Sequence, residues 1–206
     1  MIKYQLKKIK KDIFVVCVKN QYDLGMLFLK AQEFYESPKF SNNKFSIWDY
    51  FDWYSKNHGG VFSYPKDYSG YNLPLKVARK CYKINSIESP YDLIFKKILR
   101  SIKSLDGYLI GVDNLKSCLF MHELCHGLYY TNSEYRERMD DITKNIAKSS
   151  LQKFSKNLKS KGYCSSVLLD EIQAYMATEK TNAISKGIAN LDILHKKYKK
   201  VLKDFL

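Results

Sequence analysis

Two histidines four residues apart, with a glutamate directly after the first, constrain this 206-residue chain more than any other feature: His122-Glu123-Leu124-Cys125-His126. Groups at i and i+4 stand one above the other on an α-helix, so the pattern asks for a helix. The flanks agree. Asp113 to Met121 holds neither Gly nor Pro, and Asp113 or Asn114 can cap the helix start. Leu115, Leu119, His122, His126 and Tyr129 fall on one stripe. Two imidazoles so placed can take adjacent corners of a tetrahedral Zn2+ site, each nitrogen about 2.0–2.1 Å from the ion. Glu123 would lie beside the ion, placed to take a proton from an attacking water.

Two histidines do not complete such a site, because catalytic zinc usually has three protein ligands. A third histidine six residues past the second is ruled out, since Asn132 stands there. His195 lies among lysines and is expected at the surface. A carboxylate on a second helix is the other route. The stretch Leu168-Leu169-Asp170-Glu171-Ile172-Gln173-Ala174-Tyr175-Met176-Ala177 is mainly apolar, so an acid here is expected to be buried and to need a partner. Glu171 is the preferred third ligand, facing the motif helix across small Ala174 and Ala177. Asp170 and Glu179 are the lesser alternatives. Asp170 points about a hundred degrees away from Glu171 and could instead hold a ligand histidine in place.

The His122–His126 motif followed by Glu171-Ile172-Gln173-Ala174-Tyr175-Met176-Ala177 resembles the gluzincin branch of zinc metallopeptidases, where the third ligand is a Glu in an E-x-x-A or E-x-x-x-D setting. The interval between the two motifs is similar to that in the anthrax lethal factor catalytic domain and its small relatives. Phage-repressor-cleaving metallopeptidases resemble the pair as well. The resemblance covers about residues 108 to 180. It implies a zincin-like fold, one catalytic Zn2+ on His122, His126 and Glu171, and Glu123 as general base. It also implies a tyrosine shortly before the ligand Glu that assists the tetrahedral intermediate. Tyr163 is the candidate, with Tyr175 or Tyr130 as substitutes.

The rest of the chain sets the frame. Its length fits a single domain, 1–206, with an N-terminal part (1–107) holding sheet and an aromatic loop, and a mainly helical part (108–206) carrying the motifs. The expected class is α+β: a small mixed sheet packed on the active-site helix, with a mainly helical C-terminal half. Strands are read at 13–18 and 108–112. Helices are read at Tyr22–Glu36, from Ser46-Ile47-Trp48-Asp49 through Tyr54, and from Ser89-Pro90 to about Ser104. Others follow at Glu134–Lys159 after an N-cap at Ser133, from about Ser166 to Thr181, and from beyond Gly187 to near Phe205. Lys3 to Lys11 is a basic lead-in. Residues 57–74, with Gly and Pro punctuation and frequent aromatics, read as a long loop. It either lines a substrate rim or is pinned down by its own rings.

Net charge is +14, yet the basic residues are almost all Lys, with Arg only at 79, 100, 136 and 138. Phosphate and base recognition favour Arg, so a solvated Lys surface is favoured over a nucleic-acid site. No secretory signal and no membrane span is read, and the odd cysteine count suggests reduced thiols, hence a cytoplasmic setting. The expected function is a zinc-dependent metallopeptidase acting on a peptide or protein substrate, bound extended along a sheet edge. The alternative is a zincin-fold regulatory or binding protein, nucleic-acid-associated if the charge is used, without proteolytic activity. Glu123, which a purely structural metal site does not need, favours the enzyme.

Overall fold

The computed structural model describes residues 2–161, 163, 165–179 and 183–206. The chain is α+β. It divides into two compact units, Met1–Phe120 and Met121–Leu206. Among the described residues, no helix is long and apolar enough to cross a membrane.

The first unit carries one mixed four-stranded sheet in the order β1-β2-β4-β3. β1 (Gln5–Lys10) and β2 (Ile13–Cys17) form an antiparallel hairpin, with Gln5 opposite Cys17. The hairpin turns at Asp12, which adopts a left-handed φ of 60° that Asp tolerates better than most residues. β2 runs parallel to β4 (Tyr108–Val112), and β3 (Tyr71–Pro74) is antiparallel to β4. Every residue of the inner strand β4 is buried. Because β4 belongs to this sheet, the division between units falls after Phe120 rather than before Tyr108.

Around the sheet stand α1 (Gln21–Glu36), α2 (Ile47–Asn57), the short α3 (Tyr64–Asp67), α4 (Leu75–Ile84) and α5 (Pro90–Ser101). α2 and α5 both open on the expected capping boxes, Ser46 with Asp49 and Ser89 with Asp92. A buried network ties α1 to these starts. Lys30 Nζ donates to Glu88 Oε2 at 3.0 Å, Asp92 Oδ2 at 2.9 Å and the Ser86 carbonyl at 2.8 Å. Glu88 Oε2 in turn accepts the Ile47 N–H at 2.8 Å.

Three N-terminal readings are corrected. Residues 5–10 of the basic lead-in are a strand. The 57–74 segment is not one loop but holds α3 and β3. Its rings are partly the core itself, since Tyr64 and Tyr71 are buried. Ser63 Oγ donates to Asp67 Oδ2 at 2.6 Å, and Tyr54 Oη donates to the same oxygen. α4 adds a helix that the sequence reading did not assign.

The second unit is helical throughout its regular structure. α6 (Cys118–Thr131) starts later than expected. Its cap is Ser117, whose Oγ accepts the Phe120 N–H at 3.1 Å, rather than Asp113 or Asn114. Asn132, not Ser133, caps the next helix by accepting the Tyr135 N–H. The expected long helix over 134–159 is two helices, α7 (Ser133–Lys144) and α8 (Lys148–Lys159). Asn145 ends the first by folding its amide back onto the Asp141 carbonyl at 2.7 Å, and Ile146 is buried at the break.

A single 3-10 turn (Ser165–Val167) leads into α9 (Leu168–Thr178). Thr181, the expected end of that helix, and Gly162, expected to cap the previous one, lie outside the described residues. α10 (Leu191–Asp204) follows. His195, expected at the surface, is buried. Its Nδ1 lies 2.8 Å from the Met176 carbonyl, so Nδ1 carries the proton and satisfies a last-turn carbonyl of α9.

Candidate metal centre

α6 is so apolar that His122 to Leu128 form a continuous buried run. Burial is what makes its two histidines informative, because buried polar rings need partners. The i, i+4 spacing brings His122 Nε2 to 3.2 Å from His126 Nε2. Glu171, in the first turn of α9, reaches both. Its Oε2 lies 3.8 Å from His122 Nε2, and its Oε1 lies 3.7 Å from His126 Nε2. The three residues are buried, and one donor atom from each falls within 4.8 Å of the others. A tetrahedral ion about 2.0–2.2 Å from its ligands holds them roughly 3.3–3.6 Å apart. The observed separations bracket that window, and small side-chain rotations would close the longer two.

The electrostatics ask for a cation at the same point. Two imidazole nitrogens 3.2 Å apart repel unless a proton or a metal ion sits between them. Burial and the neighbouring His126 push the His122 pKa down. Burial also opposes charge on His126, but Asp170, Glu171 and Glu123 together outweigh it and push that ring's pKa up. The neighbouring carboxylates thus favour a cation between the two rings, a role a proton or a divalent ion can fill. The donor set of two imidazoles and one carboxylate suits zinc and other borderline divalent metals.

Asp170 does not join the ligand atoms. Its Oδ1 lies 2.9 Å from His126 Nδ1, which fixes that nitrogen as the N–H and presents Nε2 to the centre. Two residues not assigned a role from the sequence extend this contact. Gln173 Nε2 donates to Asp170 Oδ1 at 2.9 Å, and Gln173 Oε1 accepts the Tyr135 hydroxyl at 2.8 Å. Gln173 is fully buried. A glutamine inside an apolar run was the available signal, since such a group must be spoken for.

Glu123 is buried, and its charge is among those that raise the pKa of His126, Tyr163 and Tyr175. The Tyr163 and Tyr175 hydroxyls lie 3.2 Å apart. The Tyr175 ring meets His122 edge-on at 4.6 Å. Burial, with Glu171 nearby, raises both tyrosines well beyond neutral pH, so each keeps its O–H as a donor. Cys125 is buried, and its thiol is pushed up to about 12, chiefly by burial, so it stays protonated and packs rather than ligates.

This arrangement defines a buried two-histidine, one-carboxylate centre that could hold a metal ion. Compared with models of protein families, with characterised proteins and with solved structures, the chain gives no significant match.

Proposed function

We propose that the protein is a zinc-dependent metallopeptidase. The observation that carries this reading is the convergence of His122, His126 and Glu171 donor atoms within 4.8 Å, with Glu123 on the turn between the two histidines. When bound, zinc would supply Lewis acidity, which makes a water more acidic and polarises a carbonyl. His122, His126 and Glu171 would hold it. Glu123 would take the proton of the attacking water and hand it to the departing amine. A protonated tyrosine beside the centre, Tyr163 or its neighbour Tyr175, would donate to the oxygen on which negative charge develops. Asp170 and Gln173 would keep His126 in its ligating tautomer.

Elemental analysis of wild type and Glu171→Ala, purified side by side, tests the centre. About one zinc per chain in wild type and far less in the variant is expected. Glu123→Gln, screened on a peptide library, tests the chemistry. It should keep zinc and lose cleavage. A variant that cleaves as well as wild type would remove the peptidase reading, while zinc without any cleavage in wild type would favour the regulatory alternative.

A further inference from the structure

We infer that Glu179 is a positioning residue of this centre. Its carboxylate receives the Nδ1–H of His122 when the metal is bound, as Asp170 receives that of His126. The inference rests on the metal-centre reading. If Nε2 of His122 faces the metal, Nδ1 must carry the proton, because a neutral imidazole has one. That Nδ1 is buried and makes no hydrogen bond among the described residues. Ligating histidines almost always pass their second N–H to a carboxylate, carbonyl or water, which fixes ring orientation and raises ligand basicity. His126 meets this rule at 2.9 Å, and His122 does not yet.

The Glu179 Oε1 atom lies 4.0 Å from His122 Nδ1. It is too far for a hydrogen bond and within the sweep of one side-chain torsion. Glu179 is also free of helical backbone constraint. It is the C-cap of α9, with extended φ −119° and ψ 119°. α9 would then supply three acidic functions to the two histidines of α6. Asp170 at its start orients His126, Glu171 ligates, and Glu179 at its end orients His122. Glu179 is half-buried; burial raises its pKa, and the charge of Lys161 opposes that rise.

The test is a zinc titration against a competing chelator, on the full chain, for wild type, Glu179→Leu, Glu179→Gln, Lys161→Ala and His122→Ala. Glu179→Leu should weaken zinc roughly 10–100-fold, the usual loss when such a partner is removed. Glu179→Gln, whose amide oxygen still accepts, should lose much less. Lys161→Ala should bind as wild type. The ring N–H resonances of the zinc-loaded protein give a second readout. The His122 Nδ1–H should broaden through exchange in Glu179→Leu while that of His126 is unmoved. Wild-type affinity in Glu179→Leu, with zinc lost in His122→Ala, overturns the role of Glu179 and leaves the centre standing. A Lys161→Ala loss equal to that of Glu179→Leu overturns it too, because the effect would then follow the local charge rather than a Glu179–His122 contact. No zinc binding by wild type overturns both readings.

Discussion

Glu33 gives the first unit a pH dependence whose size follows from its surroundings. It lies on α1, and the carboxyl is hydrogen-bonded by Tyr50, Tyr64 and Ser37. Burial outweighs those bonds and raises its pKa from 4.5 to about 7. Between these values the unfolded chain has lost the proton while the folded chain keeps it. The folded state then binds more protons, so stability falls as pH rises through the window. It is fully present below 4.5 and flat again above 7. Holding the proton up to about pH 7 rather than 4.5 is worth roughly 3 kcal/mol at most, because water still reaches the carboxyl. Glu33→Gln removes the titration while keeping an oxygen that accepts from a tyrosine. Both tryptophans, Trp48 and Trp53, lie in this unit, so urea unfolding followed by tryptophan fluorescence reads it directly. Relative to wild type, the variant should gain stability between pH 4.5 and 7.5, by at most about 3 kcal/mol. A difference that stays constant across that range would show that Glu33 ionises normally in the fold, and the burial argument would be refuted.

Lys30→Met should cost the first unit about 3 kcal/mol in urea unfolding, because Asp92 and Glu88 lose their buried cation; adding Asp92→Asn should recover part of the loss. Gly111→Ala should lower stability by about 1–3 kcal/mol in thermal unfolding, since its new Cβ would stand 2.5 Å from the Phe28 ring and that ring is already packed against Tyr71 and Phe95. Gln173→Leu should weaken zinc in the chelator titration by less than Glu171→Ala does, because it frees Asp170 to turn from His126 without removing a ligand. Saturating zinc at about a thousand times its Kd should stabilise the folded wild type by about 4 kcal/mol and leave Glu171→Ala unchanged, read by calorimetry.

The parts of the fold legible in the sequence are those whose signal is local. Ser46 and Ser89 announce their helices because each side chain and its acidic partner three residues on satisfy each other within one turn. β2 and β4 are legible as short apolar runs. β1 was not, because its outer edge faces water and Lys7, Lys8 and Lys10 blunt it, as edge strands require. Nor was α4, which starts at Leu75 behind a Pro74 that offers no side-chain cap. Its buried residues Leu75, Ala78, Cys81 and Tyr82 do fall on one helical face, so the period is legible, but with a strand running straight into it and no capping side chain its start is unmarked. His195 was misplaced for a related reason. Its sequence neighbours Lys196 and Lys197 turn outward, while His195 faces α9 and finds a carbonyl.

The candidate centre divides along the same line. His122, Glu123 and His126 are one turn of one helix, so their relation is written in their spacing. Glu171 lies 45 residues beyond His126, and no periodicity links them. What made it legible was an energetic contradiction, a carboxylate in a stretch otherwise fit for a core, which only a buried partner resolves. The same contradiction was present at Gln173 and at His122 Nδ1, and it was missed at both. Gln173 is polar but uncharged, so its burial raised no alarm, and the orphan nitrogen of His122 exists only once the ring's orientation is known. Spacing therefore identifies candidate ligands that share a turn, and polar groups placed in apolar stretches identify the partners that do not. On α9 the burial of polar groups points to Asp170, Glu171 and Gln173, all from one helix, so replacing residues along that helix is expected to separate ligation from orientation in the proposed centre.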